Sequence, residues 1–351
     1  MDSEQLSSEM IMEIMSRASL KTLDIMRCVN KEFNALTYES YLLDLHKKRN
    51  KIVSGFLVQC MKNGWMHIKE FAPSPESNNI DLGFLPYNAR ILATSEQGLM
   101  VFKNPDLKDY RKDLYHVCKP ATKQVLTLPR PKEKHTYAKF AIVVMSLKPL
   151  HYKIIRFSEC PDLRRGKKLT YHCDIFDSVT WKWRSLKHVT LADGVFLTNQ
   201  QPVTKSGSIY MLLTNNNILK FDAYSEKWEV FSSPIPYDES RTSVELVKYG
   251  GRLGLACNPP NTNGCWEIQV LTKDGLLEKE GVAVAKCESK REELKALYDS
   301  DTSVMVDIET LLFYRRFNQQ GNNMIHKVVL NGSWPYEIFS FRSDFEPMDL
   351  K

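Results

Sequence analysis

The sequence predicts a small all-α unit of three to four helices, residues 1–50, followed by a large all-β domain of β-propeller type, residues 51–351. Three observations predict this. Apolar residues recur at helical spacing from Met10 to Leu36. From Ile52 onward, short alternating or continuous apolar runs are broken by turn residues, the pattern of strands. One strand–turn–strand pattern then returns every ~45–60 residues, the period of kelch-like or related propeller blades.

The helical elements come first. Met10, Ile11, Ile14 and Met15 share one stripe, Leu20, Leu23 and Met26 a second, and Val29, Phe33 and Leu36 a third. Ser8, Ser19 and Asn30 are expected as N-caps, since their side-chain oxygens accept orphan first-turn N–H groups. A fourth helix is expected over Ser40 to Arg49, with Tyr41, Leu42 and Leu45 on one side. His46, Lys47, Lys48 and Arg49 there suit the negative end of its dipole. About 40 residues cannot bury so much apolar surface unaided, so the surplus face points to a partner.

The repeated pattern of the β domain runs from Phe56 to Phe71, Tyr115 to Pro129, Tyr171 to Leu186 and Ile218 to Pro234. Weaker copies span Trp266 to Val282 and Leu311 to Leu330. Further strands are expected at Gly98–Phe102, Phe140–Met145, Ser208–Leu213, Val244–Val247, Leu253–Ala256 and Ser303–Asp307. The aromatic tail, Trp334, Tyr336, Phe339, Phe341 and Phe345, is expected to complete the last blade or close the ring against the first. Radial stacking of blades covers most sheet edges.

Composition narrows the functional classes. A net charge of +6 comes from 48 basic and 42 acidic residues, mostly interspersed, so a dedicated nucleic-acid surface is not expected. The eight cysteines form no Cys-x-x-Cys pair and no histidine pair lies at zinc spacing, so no metal site is expected. The start has no signal-peptide pattern and no apolar run is long enough to span a membrane. An intracellular chain, cytoplasmic or nuclear, with reduced structural thiols is the expectation. No phosphate loop, nucleophile elbow or H-E-x-x-H motif occurs, so neither catalysis nor a cofactor is expected. The basic run Arg164, Arg165, Lys167 and Lys168 lies between strands, as a solvated loop, a nuclear-import signal or a dock for an acidic partner.

From Leu6 to Phe33 the chain resembles an F-box. Leu6, Glu9, Met10, Ile11, Glu13, Ile14, Met15, Arg17, Lys21, Thr22, Leu23, Arg27, Cys28, Val29, Lys31 and Phe33 fall on that pattern without a gap. Ser7 and Ser19 stand where the pattern has proline, and Phe33 where it has tryptophan. The β domain is similar to plant F-box-associated domains. Gly98–Val101 is followed there by Cys118–Lys123 and Leu128–Pro129, then by Ser206–Tyr210 with Ile218–Asp222, and by Gly251–Leu255. The resemblance implies a non-catalytic substrate receptor of a Skp–cullin–F-box ubiquitin ligase. It implies a Skp-type adaptor docked on Leu6, Met10, Ile11, Ile14, Met15, Leu20, Leu23, Val29, Lys31 and Phe33. Cullin and RING subunits would attach indirectly, and an unidentified protein substrate would bind the β domain for ubiquitination and proteasomal degradation. A scaffold that binds the adaptor without degradation, or a basic β domain that binds nucleic acid, are the alternatives. Prolines at Ser7 and Ser19 would restrict the undocked chain by about 0.4–1 kcal/mol each, so restoring both is expected to tighten adaptor binding.

Overall fold

The computed structural model describes residues 7–37, 39–50, 52–62, 66–106, 109–131, 138–160, 169–233, 244–258, 265–271, 277–286, 293–298, 302–307, 310–317, 321–329, 336–344 and 348–351. The helical segment holds α1 (Ser8–Met15), α2 (Leu20–Val29), α3 (Lys31–Leu36) and α4 (Ser40–Asn50). Ser7, not Ser8, caps α1: its hydroxyl accepts from the Met10 amide at 3.3 Å, so the helix starts one residue earlier than expected. Ser19 accepts from Thr22 and Asn30 from Phe33, as the cap rule requires. Met15, Leu23 and Leu42 form a small buried core, with Ile11, Met26, Phe33 and Leu36 packed around it.

On α4 the buried residues are Leu42, Leu43 and His46, while Tyr41 is exposed. The expected stripe is therefore rotated. His46 is not a solvated cation at the helix end; its Nε2–H donates to the Ala18 carbonyl at 2.7 Å. Asn50 donates to the Ser16 carbonyl at 2.8 Å, so the end of α4 clamps the turn between α1 and α2. Among the described residues no helix is long and apolar enough to cross a membrane.

The β domain begins with β1 (Val53–Lys62) and β2 (Met66–Pro73). The first full blade is β3 (Arg90–Thr94), β4 (Met100–Asp106), β5 (Asp109–Lys119) and β6 (Gln124–Thr127). The second is β7 (Ala138–Leu147), β8 (Leu150–Glu159), β9 (Thr170–Asp177) and β10 (Lys182–Ser185), with β11 (Val189–Thr190) also paired to β9. The third is β12 (Val203–Lys205), β13 (Ser208–Leu212), β14 (Ile218–Asp222) and β15 (Lys227–Phe231). The fourth is β16 (Val244–Tyr249), β17 (Arg252–Cys257), β18 (Cys265–Leu271) and β19 (Leu277–Lys286). The fifth is β20 (Glu293–Tyr298), β21 (Thr302–Asp307), β22 (Thr310–Phe317) and β23 (Gly321–Val329).

The sixth sheet joins the two ends of the domain. β24 (Tyr336–Ser343) pairs antiparallel with β1, from Val53 opposite Ser343 to Cys60 opposite Tyr336, and β2 lies outside β1. Inner strands neighbour one another in the order β24, β3, β7, β12, β16, β20 and back to β24. This is a six-bladed β-propeller, which supplies the blade number that sequence periodicity left open. Five of the six repeated segments are the outer hairpins of blades, such as β14–β15. The first copy, Phe56 to Phe71, is instead the second and third strands of the closing sheet. The tail aromatics Phe339 and Phe341 are buried in β24; Trp334 and Phe345 lie outside the described residues.

Each blade interface has its own apolar cluster, because alternate residues of a strand face opposite neighbours. Phe56 and Val58 pack on Val304, Leu311 and Phe313 of the fifth blade. Val53 and Leu57, with Phe341, pack on Ile91, Met100 and Phe102 of the first. Tryptophans on outer strands reach back one blade: Trp183 Nε1 donates to the Pro129 carbonyl at 2.7 Å, and Trp228 stacks on Phe157 and Phe221.

Gly207 turns the β12–β13 hairpin at φ +78°, where a Cβ would stand 2.2 Å from the Tyr224 ring. Beyond β24 the chain straps the first two blades. Lys119, fully buried, pairs with Asp344; Gln124 exchanges hydrogen bonds with the Met348 backbone at 2.9 and 3.0 Å; the Tyr152 hydroxyl donates to the Leu350 carbonyl at 2.8 Å.

Closure thus rests on β24. Phe341→Ala is expected to lower unfolding free energy by about 3–5 kcal/mol in urea titrations, the usual cost of deleting a buried phenyl. Val125→Ala, half-exposed on β6, is expected to change it by under about 0.5 kcal/mol. Equal losses at the two sites would contradict this account of closure.

Candidate partner-docking face and the propeller axis

The residues expected to dock a partner divide into two groups. Met15 and Leu23 are buried within the helical segment, and Ile11 and Phe33 are packed against them. These four hold the segment together. Met10 and Ile14 on α1 are each 54% exposed, and Val29 on α2 is 62% exposed. Lys31 is exposed on α3. Leu6 and the Leu20 side chain lie outside the described residues. Ile25, 58% exposed, belongs with this outer group although sequence reading missed it. The signal was available: Ile25 and Val29 are four apart, as are Met10 and Ile14, so each pair occupies one helix face. Only burial shows which apolar stripe looks inward. Glu13, also on α1, pairs with Arg17 at 2.9 Å and with Arg49 at 3.0 Å. Those bonds hold the Glu13 carboxyl below its ordinary range.

The second candidate region is the propeller axis. A cavity of about 130 Å³ is lined from every blade, including Thr94, Ala141, Val203, Val247, Ala296 and Phe339. Around this axis several polar groups pair with one another. Arg90 grips Glu337 through two nitrogens at 2.8 and 3.2 Å, and Gln201 donates to Glu337 at 2.9 Å. Lys248 pairs with Glu96, and Lys295 with Glu245 at 3.4 Å. Gln59 both donates to the Ile91 carbonyl and accepts from the Ile91 amide at 2.8 Å; Gln200 does the same to Leu246 at 2.5 and 2.8 Å. Two glutamines thus serve as side-chain rungs between neighbouring blades. Lys139 donates to the Gln200 carbonyl at 2.6 Å, and burial pulls its amine down to about 8 against the opposing effect of Glu337.

Arg164, Arg165, Lys167 and Lys168 lie outside the described residues. The six described cysteines form no disulfide with one another; five are buried and Cys28 is exposed. Contrary to the spacing argument, one of them meets two histidines: Cys160, His172 and His188 place their ligand atoms within 4.8 Å of one another. Sequence spacing could not reveal this, because strand pairing brings the three together.

The model of the F-box associated beta propeller domain matches residues 62–275, more than half of the chain. The chain belongs to this family. It is 31% identical over 162 residues to the F-box protein At5g41720 of Arabidopsis thaliana, covering 44% of this chain and 87% of that one. It is 22% identical over 276 residues to another Arabidopsis F-box protein, At5g42430, covering 72% of this chain and 64% of the relative. Among solved structures it is similar to the Aleuria aurantia lectin, a fungal six-bladed β-propeller, at 11% identity and TM-score 0.42, over 82% of this chain and 99% of the lectin.

Two predictions follow from the geometry of this F-box associated propeller protein. Ser7 and Ser19 have φ of −65° and −67°, which a proline ring accepts, but both are the caps of their helices. Proline would add about 0.4–1 kcal/mol per site through the unfolded chain and remove a cap worth about 0.5–2 kcal/mol. Loss of the caps opposes the tightening expected from the sequence pattern. In the Ser7→Pro, Ser19→Pro variant, the Met10 and Thr22 amides are expected to exchange with solvent faster than in the parent; slower exchange would favour proline.

Lys139 gives the second. Burial holds its amine at about 8, below the ordinary lysine value of 10.5. Between these values the unfolded chain binds the extra proton, so stability rises with pH across that window. Denaturation at pH 7.5 and pH 10 is expected to show the parent gaining stability relative to Lys139→Met as pH rises. No change in the gap would place the amine in water.

Proposed function

We propose that this protein is the substrate receptor of a Skp–cullin–F-box ubiquitin ligase. The observation that carries the reading is the exposure of the apolar side chains Met10 and Ile14 on α1 and Ile25 and Val29 on α2, in a helical segment that precedes an F-box associated propeller. Fully burying such side chains stabilises an interface by about 1.5–3 kcal/mol each before the costs of association. That is enough for a Skp-type adaptor to be held through this face. The propeller then carries a protein substrate, and a cullin and RING subunit join through the adaptor. The receptor forms no bond itself. It raises the local concentration of a substrate lysine near the charged ubiquitin carrier.

The test separates docking from folding. Leu23→Ala and Phe33→Ala strike the segment's own core, so loss of capture in that pair does not distinguish contact from unfolding. Serine at Met10, Ile14, Ile25 and Val29 together leaves that core intact. The four-site variant is expected to keep the parent's melting temperature and to lose capture of purified Skp-type adaptor by roughly 100-fold or more. Capture at the parent level would refute the docking face. Adaptor capture without cullin in the complex would instead mean a non-degradative scaffold.

A further inference from the structure

The second blade contains a donor set that the receptor reading does not use. β8 and β9 pair with Arg156 opposite Asp174 and Ser158 opposite His172. The pairing continues past β8, where the Cys160 amide donates to the Thr170 carbonyl at 2.9 Å. β11 pairs on the other side of β9, with Val189 opposite Tyr171 and Thr190 opposite Thr170. One step back along that register puts His188 opposite His172. Directly opposed residues share a sheet face, and residues two apart share it too. Cys160, His172 and His188 therefore stand on one face from three neighbouring chain segments. The alternate residues Phe157, Tyr171, Cys173 and Ile175 point the other way, into the interface with the third blade.

We propose that Cys160, His172 and His188 form a zinc-binding site, with the fourth position open to water at the exposed His188 side. Cys160 Sγ lies 3.5 Å from His188 Nδ1. With Zn–S of about 2.3 Å and Zn–N of about 2.0–2.1 Å, a tetrahedral ion sets sulfur and nitrogen about 3.6 Å apart. The two ligands are thus at the edge length of the tetrahedron. One thiolate with two imidazoles suits a borderline-soft cation, and excludes the oxygen-seeking calcium and magnesium.

The surroundings are those of a metal-binding histidine. His172 is buried, and its Nε2–H donates to Asp174 at 2.8 Å. A carboxylate behind a ligating imidazole fixes its tautomer and raises its basicity. Asp174 is itself held by Arg156 at 3.0 Å and by the Ser185 hydroxyl at 2.8 Å. Beside His172 across the strand pair, the Ser158 hydroxyl is buried with no hydrogen-bond partner among the described residues. A buried orphan hydroxyl costs about 1–3 kcal/mol, and a water on the ion would supply a partner.

The test uses the full reduced chain, stripped with chelator and loaded with Co²⁺ as a spectroscopic stand-in for zinc. One Co²⁺ per chain is expected, with a thiolate charge-transfer band in the near ultraviolet and the visible bands of a tetrahedral ion. Zn²⁺ is expected to displace it. His188→Ala, at an exposed position, and Cys160→Ser are each expected to weaken binding by roughly 100-fold or more. Cys28→Ser, which removes the exposed thiol elsewhere, is expected to leave it unchanged. Absence of the thiolate band, or a titration that His188→Ala and Cys160→Ser leave intact, would overturn the assignment. Either would mean that the contact of Cys160 with His188 is an ordinary hydrogen bond.

Discussion

The fold depends on the pairing of β24 with β1. A propeller blade presents two apolar faces, and each must be covered by a neighbour. In an open row of blades the first and last would each leave one face in water. The antiparallel ladder from Val53–Ser343 to Cys60–Tyr336 removes that problem by building the closing blade from both ends of the domain. The apolar clusters on its two sides then exist together: Phe56 and Val58 against the fifth blade, Leu57 and Phe341 against the first. The strap through Asp344, Met348 and Leu350 extends the closure onto the first two blades, using hydrogen bonds and a buried lysine in addition to apolar contact.

Closing the ring creates an axis where inner strands converge and backbone groups need partners. The protein meets this with glutamines and ion pairs. Gln59 and Gln200 each satisfy both the amide and the carbonyl of an inner-strand residue on the next blade. The Arg90–Glu337 pair, joined by Gln201, spans three blades. Arg90, Glu96 and Lys248 are partly exposed, and ion pairs of that kind contribute little net stability. They serve better to set which blade meets which than to hold the ring shut.

The helical segment follows a different rule. It is too small to bury its apolar residues, so it keeps a minimal core of Met15, Leu23 and Leu42 and leaves a second face outside. Its polar clamps, His46 to Ala18 and Asn50 to Ser16, fix the α1–α2 turn without using that face. That arrangement leaves Met10, Ile14, Ile25 and Val29 exposed.

Much of this was legible in the residues. Helical spacing before His46 and alternation after Ile52 separated the two regions, since period 3.6 and period 2 are local properties of the chain. The caps at Ser19 and Asn30, the Gly207 turn and the recurring hairpins were local as well. Blade number, the ring closure and the phase of the first repeat were not, because they depend on which strand ends meet across nearly 300 residues. The same reason divides the sites. Apolar periodicity marked Met10, Ile14 and Val29 together with Leu23 and Phe33, but it cannot tell an inward stripe from an outward one on a helix that has both. Cysteine spacing gave no sign of Cys160, His172 and His188, because a sheet brings ligands together by register between strands, and register is settled only when the strands pair.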